Sequence, residues 1–166
     1  MKKNKFLQIK ENDGYFYAER LGVDSIAFVL FDGNEDRVGL IREFKPPING
    51  FLTTAFGGSL DKDVPMEQIV EEEVREESGY TGAVIHPLGR IFVSTQMNQF
   101  CHLYIVDVTK AEFVGRDPQT EMESEATVEW VSLDDESDLE AWYNTTNCWK
   151  ATTILIRAAI KGVCYA

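Results

Sequence analysis

Residues 57–80, GGSLDKDVPMEQIVEEEVREESGY, open on two glycines, run through an acidic stretch with helical periodicity and stop at a glycine. At about 100° per residue, Met66, Ile69, Val70 and Val74 fall within an arc of about 140°, the stripe a core-facing helix needs. Glu73 and Glu77 lie inside that arc and Glu76 at its edge, whereas Gln68 and Arg75 point the other way. Ionised carboxylates on a buried face are costly unless a cation meets them, and the helix supplies none on that side. Three oxygen donors at i, i+3 and i+4 suit a hard divalent ion, Mg²⁺ or Mn²⁺; zinc draws His or Cys instead. The plain alternative, an acidic helix with a solvated face, puts its glutamates opposite the apolar residues rather than among them. Pro65 suits the first helical position and Gly79 a left-handed stop.

The segments around this helix read mainly as strands. Residues 6–21 alternate about Asn12-Asp13-Gly14, a hairpin with a tight turn. Residues 24–31 form an apolar run fit for the middle of a sheet, followed by a turn at 32–36 and a strand at 38–44. Pro46 and Pro47 force a loop, and 51–56 is a short strand that delivers Gly57 and Gly58. Strands are expected at 81–87, 90–95, 103–108 and 126–131, and residues 132–135 read as a capping box that opens a short helix. Residues 110–125 are polar and acidic, a loop long enough to need disorder or a function as its explanation. A last helix spans about 148–161, with Trp149, Thr153, Ile156, Ile160 and Val163 on one face. Strands interleaved with helices predict a mixed sheet between helical layers.

At 166 residues the chain suits one domain, and its net charge of -12 without a basic cluster argues against nucleic acid as a partner. A small phosphate ester remains compatible with such a protein when metal ions neutralise the contact. No apolar run approaches membrane-spanning length and the start lacks a secretory apolar stretch, so no membrane partner and a cytoplasmic location are expected. Cys101, Cys148 and Cys164 are odd in number and have no paired spacing, so neither a disulfide framework nor a zinc site is expected; they read as reduced, mostly buried thiols, and His86 and His102 as ordinary strand histidines with no ligand-pair spacing.

The glycine-to-glycine segment resembles the box of the Nudix hydrolases, G-x5-E-x7-R-E-U-x-E-E-x-G-U with U apolar. Gly58, Glu73, Val74, Glu76, Glu77, Gly79 and Tyr80 match it; Val64 stands in place of the first Glu and Glu72 in place of the Arg. Outside the box, residues 24–31, the stretch GLIREFKPP at 39–47 and residues 144–161 are similar to the branch that cleaves ADP-ribose and nucleoside diphosphate sugars. Ser94-Thr95-Gln96 departs from that branch's serine-proline-glycine step.

The resemblance implies an α/β/α sandwich filling residues 1–166 as a single domain, with the box at 58–80 and residues 1–22 as N-terminal strands able to form a homodimer. It implies a metal-dependent hydrolase that cleaves the diphosphate of ADP-ribose or a nucleotide sugar to a nucleoside monophosphate and a sugar phosphate. Dinucleotides or nucleoside triphosphates are alternative substrates, and a non-catalytic nucleotide-metabolite binder is an alternative of another class. Two or more Mg²⁺ (or Mn²⁺) ions are expected on Glu73, Glu76, Glu77 and the carbonyl of Gly57, with Gly58 letting the backbone approach the phosphates. The general base is expected from Glu121, Glu123 or Glu125, with Glu73 as the other choice. Arg42, then Arg90, are the expected substrate contacts, and Phe44 or Phe56 could stack on a base. Glu72 is expected to crowd the site with a fourth negative charge, raise its demand for metal and find only Arg75 as an outer partner.

Overall fold

The computed structural model describes residues 7–20, 24–119, 121–145 and 148–164. Ten strands and four α-helices occur in it. β1 (Gln8–Asn12) and β2 (Tyr15–Glu19) form the predicted hairpin, with Asp13 and Gly14 both at positive φ in its turn. β3 (Ser25–Asp32) is buried along its whole length, as its unbroken apolar run predicts. β4 (Arg37–Lys45) and β5 (Gly50–Thr54) follow, joined by a single 3-10 turn over Pro46–Ile48.

The box helix, α1 (Met66–Glu73), takes Pro65 as its N-cap rather than as its first helical residue. It widens into a π-helical turn, Val74–Ser78, before Gly79 ends it at φ 81°. Next come β6 (Tyr80–Thr81), β7 (Val84–Ser94), β8 (Met97–Asp107), β9 (Glu112–Phe113), α2 (Glu121–Ser124), β10 (Thr127–Ser132), α3 (Glu136–Thr145) and α4 (Trp149–Lys161).

Eight strands make one mixed sheet with the path β1-β2-β8-β3-β4-β10, β5 pairing with β4 and β7 with β8; β6 and β9 form a separate ribbon. β8 runs parallel to both β3 and β2, and the other pairings are antiparallel. One face of the sheet packs on α1 through Phe28, Leu30, Ile41, Val70 and Val74. The other packs on α4 through Val29, Leu40, Leu103, Ile105, Ala151, Ile154 and Ala158. The sheet thus lies between helical layers, as expected.

Further local expectations change, beginning with the loop foreseen at 110–125, which contains β9 and α2. The strands foreseen at 81–87 and 90–95 are one strand, β7, broken in register between Pro87 and Arg90 where Gly89 adopts φ 85°. The helix start at 132–135 belongs to Asp135, whose carboxylate accepts the Ser137 N–H at 2.8 Å. The predicted inner stripe of α4 is largely its outer one: Trp149, Ile156 and Ile160 are 44, 55 and 80 % exposed, and Ala151, Ile154 and Ala158 are buried in their place. Small residues let that helix approach the sheet closely, so bulk was the wrong guide to its inner face.

Candidate functional site

Beyond Leu30, β4 leaves β3, and the freed edge is taken by the glycine segment. Phe28 and Phe56 exchange backbone hydrogen bonds at 2.9–3.0 Å, and Ile26 N–H donates to the Gly58 carbonyl at 2.9 Å. The Phe28 and Phe56 rings stack at 4.9 Å inside the core, so Phe56 is a packing residue; Phe44 meets Phe51 edge-on. Gly57 and Gly58 are thereby held against the box helix. The Gly57 N–H donates to Glu77 Oε2 at 2.9 Å, and a Cβ built on Gly58 would lie 2.3 Å from the Glu73 carboxyl. Among the described residues none donates to the Gly57 carbonyl, which leaves it available as a ligand.

Glu73, Glu76 and Glu77 line one cavity of about 280 Å³ together with Lys62, Gln119 and Glu123. The three box glutamates thus reach a common cavity, Glu73 from the end of α1 and Glu76 and Glu77 from the π-helical turn. Burial pushes the Glu77 carboxyl up to about 8, opposed in part by the Gly57 N–H and reinforced by the charges of Glu73, Glu43 and Glu123. Glu73 is also raised, by burial first and then by Glu76. Two carboxyls raised in this way beside two more acids form a site short of positive charge. Oxygen donors in that number fit hard divalent ions, and a glycine that leaves no room for a Cβ beside Glu73 fits the same purpose.

Of the late acids, only Glu123 reaches the cavity. Glu121 and Glu125 are exposed and line neither this cavity nor its neighbour. The loop that carries them is ordered by a residue the sequence reading missed, Arg116. Its guanidinium donates to the carbonyls of Glu77 (2.6 Å), Glu123 (3.0 Å) and Ala126, tying the π-helical turn to α2. The one available signal was an arginine in the middle of a mainly acidic loop. Arg116→Ala should lower kcat at least about tenfold while leaving the sheet's circular dichroism unchanged, because it frees Glu123 without touching the core. An unchanged kcat would show that Glu123 needs no such anchor.

Glu72 does not crowd the cavity. Its carboxylate accepts from Lys62 Nζ at 2.6 Å and from Gln68 at 3.0 Å, and these bonds hold its pKa below the ordinary value. Arg75, the partner expected for it, reaches Glu76 (3.7 Å) and Asp117 (3.5 Å) instead. Val64 is exposed. The expected extra demand for metal therefore loses its basis: Glu72→Gln should move the Mg²⁺ midpoint of activity by less than about twofold, as befits an exposed pair. A larger shift in a Mg²⁺ titration would restore Glu72 as a member of the site.

Beside the carboxylates lies a second cavity of about 390 Å³, lined by Arg20, Lys45, Gly57, Gly58, Trp149 and Lys150 among others. The Gly57–Glu77 hydrogen bond links the walls of the two. Arg42 and Arg90 are in neither. Arg42 sits on the opposite face of β4 from Glu43 and Lys45, 3.5 Å from Glu129 and over the Phe51 ring; Arg90 lies over Phe100. The cations of the pocket come from the residue after β2, from β4 and from α4, too far apart in sequence to form a motif.

A mixed sheet between helices, with a glycine segment pressed against a carboxylate-lined box helix, defines the architecture of one large class of α/β proteins. The chain belongs to the Nudix family: the NUDIX domain model matches residues 22–149. It is 26 % identical over 118 residues to an ADP-ribose pyrophosphatase of Saccharomyces cerevisiae, a match covering 68 % of this chain and 51 % of that protein. The chain thus spans about half the length of that relative. Its fold is similar to that in a crystal structure of an ADP compounds hydrolase, with a TM-score of 0.73 at 13 % identity, covering 98 % of this chain and 90 % of the other. No helix among the described residues is long and apolar enough to cross a membrane.

Proposed function

We propose that the protein is a divalent-metal-dependent pyrophosphohydrolase of ADP-ribose or nucleoside diphosphate sugars. The observation that carries this reading is the pair of adjoining cavities, one walled by Glu73, Glu76, Glu77 and Glu123, the other by Arg20, Lys45, Lys150 and Trp149. At about 390 Å³ the second falls within the usual range for small-ligand sites. Three cations there against one acid, Glu43, which pairs with Lys45, leave a net positive patch in a chain of net charge -12, suited to phosphate oxygens. Trp149 offers an indole face to a sugar or base.

Glu73, Glu76, Glu77 and the Gly57 carbonyl would hold Mg²⁺ or Mn²⁺. When bound, such ions neutralise the diphosphate and lower the pKa of water. Glu123, anchored by Arg116, is positioned to take the proton as water adds to one phosphorus. The bond from that phosphorus to the bridging oxygen breaks, and that oxygen leaves with the other phosphate. The products are a nucleoside monophosphate and a sugar phosphate. The 26 % identity to an ADP-ribose pyrophosphatase supports the substrate class. The exposed Leu7, Ile9, Tyr15 and Phe16 of the β1–β2 hairpin suit contact with a second copy of the chain.

A panel of ADP-ribose, sugar nucleotides, dinucleotides and triphosphates with Mg²⁺, products resolved, tests the reading. ADP-ribose or a sugar nucleotide should give the highest kcat/KM. A higher value for dATP or GTP than for all of these would reject the branch, and binding without turnover of any compound would make the protein a sensor of nucleotide metabolites.

A further inference from the structure

On the α4 side of the sheet, far along the chain from the box, three unlike donors meet. His86 is on β7 and Asp107 near the end of β8; Val84 pairs with Asp107 and His86 with Ile105, so the two side chains are diagonal neighbours on one face of an antiparallel pair. Cys164 arrives from beyond α4. Gly162 turns the chain at φ 62°, the Val163 N–H returns to the Ala158 carbonyl at 3.0 Å, and Val163 and Cys164 pack onto the core. Lys161 Nζ to the Pro87 carbonyl (3.0 Å) and Arg157 to the Leu88 carbonyl (2.9 Å) fasten this end of the helix to β7.

The imidazole nitrogen, carboxylate oxygen and thiol sulfur all lie within 4.8 Å of one another, each half-buried. Among the described residues His86 has no hydrogen-bond or ion-pair partner, and Asp107 Oδ1 accepts only the Thr109 N–H at 2.9 Å. Imidazole, carboxylate and thiolate form a donor set of borderline softness, unlike the all-oxygen glutamate cavity, and it favours zinc over magnesium. Metal-ligand distances of about 2.0–2.3 Å put neighbouring tetrahedral donors roughly 3.3–3.8 Å apart, so the trio, already within 4.8 Å, needs to close by at most about 1.5 Å. Partial exposure leaves the fourth position to water.

We propose that His86, Asp107 and Cys164 form a second metal site, separate from the glutamate cavity, that takes Zn²⁺ and clips the C-terminal turn of α4 onto β7 and β8. On binding, the thiol releases its proton to solvent and sulfur coordinates as thiolate. Without a metal, burial and the Asp107 charge push that thiol up to about 11, the condition a cation at this position relieves. α4 carries Trp149 and Lys150 at its other end, so the clip would steady a wall of the 390 Å³ cavity from a distance.

Cobalt(II) is the probe, because thiolate ligation gives a strong near-ultraviolet charge-transfer band that carboxylates do not. Wild-type protein titrated with Co²⁺ should develop this band together with tetrahedral visible bands, and Zn²⁺ should abolish both. Cys164→Ser should lose the charge-transfer band, and His86→Ala should weaken Co²⁺ binding at least about tenfold. Glu73→Gln and Cys148→Ser should keep the band. Zn²⁺ should raise the melting temperature of wild type but not of Cys164→Ser. The proposal is overturned if wild type shows no thiolate band, if the band survives in Cys164→Ser, or if it vanishes in Cys148→Ser instead.

Discussion

Glu77→Gln should lower kcat/KM by about two orders of magnitude or more, a loss of about 2.7 kcal/mol of transition-state stabilisation, and at the same time make the metal-free protein more heat-stable at pH 8. The two effects share a cause. The Glu77 carboxyl is held in a half-buried cavity among other acids and is raised to about 8, against an ordinary value of 4.5. A folded-state pKa above the unfolded one favours the native state fully below about pH 4.5. That contribution is lost as pH rises through about 8. Metal-free wild type should therefore lose melting temperature across this window, and Glu77→Gln should lack that part of the slope. Metal reverses the penalty by replacing the proton, so the Mg²⁺ midpoint of wild type should fall roughly tenfold per pH unit between about pH 6 and 8. Scanning calorimetry with EDTA and Mg²⁺ titrations at several pH values read both. Wild-type turnover in the variant would remove Glu77 from the metal site, and a pH-independent difference in melting temperature would reject the buried-proton account.

Gly58→Ala and Gly57→Ala should fail in opposite ways. A Cβ on Gly58 meets the carboxyl of Glu73 at 2.3–2.8 Å, the far end of a flexible side chain that can swing aside. Stability should stay within about 1 kcal/mol of wild type, since the smaller entropy of the unfolded alanine chain offsets the local shift. Activity should fall by about a hundredfold, because the proposed function makes the displaced oxygen a metal ligand and positioning would be lost with it. A Cβ on Gly57 meets the Ile26 carbonyl at 2.6 Å, which is backbone of the central strand and cannot move alone. There the cost should be about 1–3 kcal/mol of stability, as for other overpacked core positions. Denaturant melts and kcat on the same preparations separate the two. If Gly58→Ala is fully active, Glu73 is not a ligand at the observed position.

What the sequence disclosed was what periodicity and local chemistry carry. Ile69, Val70 and Val74 recur at helical spacing, so the buried face of α1 and the glutamates on it were readable in advance, as was β3 from its unbroken apolar run. The inner face of α4 was not, because Ala151 and Ala158 are chosen for closeness to the sheet and a hydropathy stripe favours larger residues. Arg116 escaped notice because it binds main-chain carbonyls, which leave no trace in side-chain identity. Arg20, Lys45 and Lys150 converge only through the fold. Arg42 matched a resemblance in sequence, yet strand alternation turns it to the other face of β4 from Lys45. Glu72 was misjudged for a similar reason: Lys62, its partner, lies ten residues back across a loop.

The parallel union of β3 with β8 also sets a timetable. Phe100 N–H closes on Asp24 across 76 residues, and Ser25 to Phe31 are matched rung by rung with Cys101 to Asp107. The entropy of closing so long a loop must be met before those rungs reward it, which places this protein among slow folders for its size. During synthesis β3 emerges early and waits with one edge bare until β8 leaves the ribosome. The glycine segment that frames the carboxylates hangs from that same strand, so the carboxylate-lined cavity comes into being late and nearly all at once. A chain halted before β8 would hold every residue of the box and none of its geometry.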